Sequence, residues 1–248
     1  ASIGCMGVPD RALHEARPER LMVIVAHPDD ADFGPAATIS RWISEGSVAQ
    51  LVCCTSGDAG ADDPTTDPLQ RARLREDEQR AAAREVGYEA VHFLHRPDGA
   101  LANDLPLREQ LVRLIRTFRP DAVLTMDPTL IFHRDGYVQH TDHRAAGMSA
   151  VDAVYPAARN AMAFPHLALD EGLEPFAVPR LYLFWTESPN AWVDVTGFVD
   201  DDRADRNIAV SGSQPGLIER QQHRVVPLTQ TAEFTHPRLP RRPCGTAG

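Results

Sequence analysis

The sequence contains no lysine: all 25 of its basic residues are arginine. That absence removes together the P-loop lysine, the Schiff-base lysine of pyridoxal enzymes, the strand lysine of protein kinases and the Ser-Lys hydrolases. No two glycines stand two apart, so the dinucleotide-binding fingerprint is missing. There is no Gly-x-Ser-x-Gly elbow, which disfavours serine hydrolases of that type. No apolar run approaches the ~18 residues of a membrane span, and no basic stretch leads into an apolar core at the start, so neither a membrane segment nor a secretory signal is expected. The four cysteines (Cys5, Cys53, Cys54 and Cys244) form no Cys-x-x-Cys pair. Two of them are adjacent in an apolar run, the pattern of buried thiols in a reducing cytoplasm rather than of a disulfide framework. Positive charge is also scarce, 25 basic against 35 acidic residues for a net charge of −10, which argues against non-specific nucleic-acid binding.

What is present reads as an ordinary globular composition, 248 residues with 43% hydrophobic and 24% charged. Leu21–Ala26 is an apolar run bounded by polar residues, the mark of a strand buried on both faces. Val48–Cys54, Val91–Leu94, Ala122–Met126 and Leu181–Trp185 read as four more strands. Between them fall helical patterns at Pro35–Glu45, Leu69–Val86, Leu105–Phe118 and about Thr141–Ala158, with Gly46 and Gly87 as stops. Such alternation predicts an α/β fold: a Rossmann-like, mostly parallel sheet flanked by helices. The expected organisation is an N-terminal extension (1–20), one α/β domain (21–200) and an irregular, partly disordered C-terminal segment (201–248) punctuated by proline and glycine.

In parallel sheets, ligands bind outside the carboxyl ends of the strands. The first strand is followed by His27-Pro28-Asp29-Asp30 and the second by Gly57-Asp58. After the third comes Pro97-Asp98-Gly99, and after the fourth, Asp127 and then His140-Thr141-Asp142-His143. Acidic and imidazole groups therefore gather on one rim, where a cation would go. A lone His-x-x-Asp or His-x-x-His is common, and polar residues near a helix start are ordinary caps. Both pairs on one rim, one directly after a buried strand, favour a metal site. Two neutral imidazoles and one carboxylate make a three-ligand zinc set with a fourth position for water. Asp29, beside Asp30, is a free carboxylate able to take that water's proton.

Ala26-His27-Pro28-Asp29-Asp30 after the first strand, with His140-Thr141-Asp142-His143 about 110 residues later, resembles the PIG-L/LmbE family of zinc-dependent N-deacetylases. The resemblance covers roughly residues 21–200. It implies one zinc (or another divalent metal) held by His27, Asp30 and His143, with Asp29 as general base and His140 as the acid or electrostatic partner. It further implies that Asp142 orients an imidazole, and that Arg75, Asp98 and Asp58 reach substrate. Helical charge and turn formation are the plainer readings of those last three. Two departures stand out. Many relatives carry Glu directly after the Asp pair, whereas Ala31-Asp32 follows here. The helical Arg- and Gln-bearing segment expected after Asp200 is also missing.

The expected function is a cytoplasmic hydrolase that removes an N-acetyl group from an amino-sugar-containing small molecule, releasing acetate and a free amine, without nucleic-acid or membrane partners. An amidase cleaving a larger acyl group from a thiol or sugar conjugate is one alternative, and a non-catalytic, metal-dependent sugar-binding protein is another. Ferrous oxygenases use a similar ligand set, but in β-rich barrels.

Overall fold

The computed structural model describes residues 14–134 and 136–198, and the backbone of the strand 225–231. β1 (Arg20–Val25) runs through the centre of a seven-stranded sheet, and Leu21 to Val25 are fully buried, as a strand covered on both faces must be. Its neighbours are β2 (Val48–Thr55) and β4 (Ala122–Met126), both parallel to it. β3 (Ala90–Arg96) extends the sheet beyond β2, and β5 (Arg180–Phe184) extends it beyond β4, again in parallel. The order β3-β2-β1-β4-β5 is that of a doubly wound fold, and it reverses direction between β1 and β4. The loops leaving those two strands diverge and open a crevice at their carboxyl ends.

The connecting helices start and stop where their sequence dictates. α3 (Pro68–Val86) follows α1 (Asp30–Phe33) and α2 (Ala36–Ser44). The Asp67 side chain caps α3 by accepting the Leu69 N–H at 3.0 Å, Pro68 occupies the first turn, and Gly87 ends the helix at φ 99°. α4 (Leu105–Phe118) is capped by Asp104 and buries Leu107, Leu111, Val112 and Ile115 along one stripe. α5 (Thr141–Asp152) is regular as far as Asp152, and the helical path breaks soon after at Tyr155 (φ −143°, ψ 123°), just before Pro156, which lacks the N–H that would continue it. The short α6 (Pro165–Leu169) precedes β5.

The five expected strands are all present, with ends shifted by a residue or two. Two more were not foreseen. β6 (Ala191–Asp194) and β7 (Val225–Thr231) complete the sheet in antiparallel sense, so the segment read as irregular after residue 200 contributes a strand. Pro227 had argued against one. It is tolerated because Val225–Leu228 pairs only with β6, and only Thr229–Thr231 pairs with β5, so the proline has a partner on one side alone. The rest of the stretch after residue 200, where the Arg- and Gln-bearing segment is missing, lies outside the described residues. The end of the segment read as an extension is tied to the domain, since His14 donates its N–H to the Trp192 carbonyl at 2.7 Å.

Candidate metal centre

β1 delivers the chain to the crevice, and the loop after it turns back on itself. The His27 N–H donates to Asp30 Oδ2 at 2.7 Å, which fixes the buried Asp30 carboxylate beneath the imidazole. Asp30 Oδ2 lies 3.4 Å from His27 Nδ1, and its Oδ1 lies 3.0 Å from His143 Nε2. Between them Asp29 adopts a left-handed backbone (φ 88°, ψ −25°), a strained state for a residue with a side chain. Arg75 Nη2 donates both to the Pro28 carbonyl (2.7 Å) and to Asp29 Oδ2 (3.0 Å). The Asp29 N–H donates to Gln79 Oε1 at 2.6 Å.

The second half of the centre comes from the first turn of α5. His140 is the capping residue, its Nδ1 accepting the Asp142 N–H at 3.1 Å. That bond assigns the proton of neutral His140 to Nε2. The rings of His27, His140 and His143 stand 5.0–5.2 Å apart, and one ligand atom from each lies within 4.8 Å of the others. His27 Nε2 meets two carboxylates, Asp98 Oδ1 at 3.1 Å and Asp142 Oδ2 at 3.3 Å. Asp142 is fully buried and also accepts the N–H groups of Gly99 and Leu101, so this carboxylate ties the β3–α4 loop to α5 beneath His27.

The electrostatics follow from burying so many carboxylates together. Burial disfavours a charged His27, but its hydrogen bonds with Asp142, Asp30 and Asp98 outweigh this and raise it to about 12. Burial likewise opposes ionisation of Asp30, yet His143 and His27 hold it well below the usual carboxylate range. Asp29 is pushed up to about 7 by burial and by the negative charge of Asp30, against the opposing pull of Arg75. His140 is lowered by burial and by the neighbouring His27 and His143. The cluster as a whole demands positive charge. A divalent ion fits it on two grounds: two imidazoles and a carboxylate converge as donors, and His143 Nδ1 is a buried ring nitrogen with no hydrogen-bond partner among the described residues.

The structure thus brings His27, Asp29, Asp30, His140, Asp142 and His143 to one crevice, with Asp98 joining them through His27. Arg75 is buried, and its Nη2 is engaged by the Pro28 carbonyl and the Asp29 carboxylate. Asp58 is half-buried in the loop after β2, without a hydrogen bond to any of these groups among the described residues. Sequence reasoning missed Gln79 and Trp185. Gln79 lies one helical turn after Arg75, so the four-residue spacing was the available signal. Trp185, read as the last residue of a strand, takes a left-handed backbone (φ 54°) and sets its ring 5.2 Å from that of His143.

The family model for GlcNAc-PI de-N-acetylase, PIG-L, matches residues 22–154, more than half of the chain. The chain belongs to the PIG-L family. Among relatives of this family, diacetylchitobiose deacetylase of Thermococcus kodakarensis is 29% identical over 183 residues, 73% of this chain and 66% of that protein. The 1D-myo-inositol 2-acetamido-2-deoxy-α-D-glucopyranoside deacetylase 2 of Saccharopolyspora erythraea is 33% identical over 196 residues, 69% of this chain and 66% of its own length. This PIG-L chain therefore spans just under two thirds of either relative. Among solved structures, N,N′-diacetylchitobiose deacetylase from Pyrococcus horikoshii superposes with a TM-score of 0.66 at 29% identity, covering 72% of this chain and 65% of that one. A 4-carboxy-2-hydroxymuconate hydratase from Pseudomonas putida KT2440 superposes with a TM-score of 0.68 at 19% identity, covering 89% and 97%. That second likeness shows the fold alone, and fold alone does not choose a reaction.

Proposed function

We propose that this chain is a metal-dependent hydrolase that removes an N-acetyl group from an amino-sugar-containing small molecule, releasing acetate and a free amine. The observation that carries the reading is the convergence of His27, Asp30 and His143 beside the unligated carboxylate of Asp29, at the crevice between β1 and β4. Membership of a family that includes relatives named as deacetylases supports it. The proposed metal is zinc, held by His27, Asp30 and His143. When bound, it supplies Lewis acidity that polarises the amide carbonyl and makes water a better nucleophile near neutral pH.

The residues of the chain divide the remaining work. Asp29, raised to about 7, is suited to accept a proton from the attacking water and return it to the leaving amine. His140 keeps its proton on Nε2, since Nδ1 accepts the Asp142 N–H, so Nε2–H is available to donate to the developing oxyanion. Asp142 and Asp98 hold His27 through Nε2, leaving Nδ1 as the ligand nitrogen. Trp185 beside His143 offers an apolar wall.

Among the described residues no helix is long and apolar enough to cross a membrane. Free, buried Cys53 and Cys54 suit the cytoplasmic location we propose.

Metal quantification combined with a fluorescamine screen for freed amines over N-acetylglucosamine-containing compounds tests the reading. One equivalent of zinc and stoichiometric acetate and amine are expected. Bound carbohydrate without amine release would make the protein a sugar-binding module, and larger acids in place of acetate would make it an amidase.

A further inference from the structure

We propose that Gln79 is a positioning residue for Asp29, and that Asp32 exists to orient the Gln79 side chain. The inference rests on the reading of Asp29 as the proton-accepting group, and it begins from the strain at that residue. Asp29 holds a left-handed backbone that its side chain disfavours, at the N-terminus of a helix only four residues long. Something outside the loop must hold it there. Arg75 grips one carboxylate oxygen of Asp29 and the carbonyl before it, but neither contact fixes the Asp29 amide. The amide is fixed by Gln79, which reaches from the middle of α3 to accept the Asp29 N–H on Oε1 at 2.6 Å.

Gln79 as a whole is 2% exposed, so water does not correct a wrong orientation of its side-chain amide. A carboxamide has two nearly isosteric ends, one accepting and one donating, and only its partners decide which faces where. Here the partners leave no freedom. The Asp29 N–H can only donate, and an ionised Asp32 can only accept. Asp32 Oδ2 takes the Gln79 Nε2–H at 3.0 Å, which turns Oε1 toward Asp29. Asp32, buried at 9% exposure, follows Ala31, which stands where many relatives carry the Glu after the Asp pair. The chain Asp32–Gln79–Asp29 gives the buried Asp32 carboxylate a role. It pins the backbone between the ligand Asp30 and the base from a rigid 19-residue helix, so the Asp29 carboxylate starts from one place.

The test reverses the polarity of the relay in the full chain. Gln79→Leu removes the acceptor. Gln79→Glu keeps an oxygen for the Asp29 N–H but sets a carboxylate against Asp32. Adding Asp32→Asn to Gln79→Glu restores a donor facing an acceptor, with the total charge of the wild type. The expected result is that Gln79→Leu lowers kcat about 10²-fold, as misplacement of a reacting group does, with KM and zinc content within about twofold. Gln79→Glu/Asp32→Asn should recover most of that loss. A second readout needs no turnover: the Asp29 amide proton, followed by NMR, should be far downfield and slow to exchange in the wild type and in the double variant. It should shift upfield and exchange faster in Gln79→Leu. An Asp29 amide without these properties in the wild type would overturn the proposal, even if one of the variants does not fold. So would a double variant as impaired as Gln79→Leu. If the wild type releases no amine from any substrate, the functional reading fails while the Asp29 resonance still decides the relay.

Discussion

Buried polar atoms are handled in opposite ways at two places in this molecule. Beyond the tips of β1, β3 and β4, Asp30, Asp98 and Asp142 crowd around His27, whose single positive charge does not balance all three, and the guanidinium of Arg75 is engaged with Asp29. Between α4 and the segment after α5, by contrast, the buried Arg116 makes no direct ion pair with a carboxylate among the described residues. It spends its donors on the carbonyls of Ala157, Ala158, Asn160 and Ala163 at 2.9–3.3 Å. One cluster is closed, with a protein cation saturated by protein acceptors. The other is open and stays costly until a cation arrives from outside. Burial is common to both, so burial alone does not mark a site. Unbalanced charge at a strand tip does.

The largest effect should come from breaking the open cluster at its ligands. His143→Ala removes the imidazole that meets Asp30 and should abolish both zinc binding and amine release, read by metal analysis and the amine assay. A His143→Ala protein that kept one equivalent of tightly bound zinc would show that the ion sits elsewhere. Asp29→Asn sharpens the same point. It should leave zinc bound while turnover falls by about 10²–10⁴-fold, the usual worth of a positioned base. Full activity in that variant would assign the proton transfer to another group.

The closed cluster should respond in stability instead. Arg116→Met keeps much of the apolar stem but strands several buried carbonyls, for an expected loss of about 2–4 kcal/mol in urea unfolding. Zinc content and rate of the folded protein should not change. Arg116→Lys should restore little, because an ammonium cannot reproduce the planar fork that serves several carbonyls at once. Lost zinc in Arg116→Met would erase the distinction between the two clusters.

How much of this was legible in the sequence follows the same division. β1 announces itself because both of its faces are buried and Leu21–Ala26 reads as an unbroken apolar run, whereas the half-buried β3, with His92 in its middle, is marked more weakly. The order of strands was not legible, because periodicity carries no information about which strands pair. β7 was hidden by Pro227, whose one-sided pairing only the assembled sheet reveals. At the candidate site, His27, Asp29, Asp30, His140 and His143 stood out because short spacings placed them just past strand or helix boundaries. Asp98 was read as a substrate contact or a turn residue, and its 3.1 Å approach to His27 depends on how the β3–α4 loop folds over the sheet. Gln79 went unnoticed because a glutamine in a charged helix is unremarked until its buried partners are known.

The smallest predicted effect joins the two regions, since α5 carries His143 and packs on the strand that shapes the crevice. Gly147 lies one turn after His143, and a Cβ there would fall 2.4 Å from the Met126 carbonyl oxygen at the end of β4. On an exposed helix, replacing glycine by alanine stabilises by up to about 1 kcal/mol. Here the contact is with backbone, which cannot rotate away, so the sign should reverse and Gly147→Ala should cost about 1–3 kcal/mol. The relief available to the chain is to lift α5 from the sheet. That motion carries His140 and His143 away from His27 and Asp30, which stay anchored to β1. Weaker zinc affinity should therefore accompany the lower unfolding midpoint, both measurable on one preparation by metal titration and denaturation. A more stable Gly147→Ala protein with unchanged affinity would mean that the helix and strand do not approach this closely, and that the first turn of α5 is held in place by its hydrogen bonds to the β3–α4 loop.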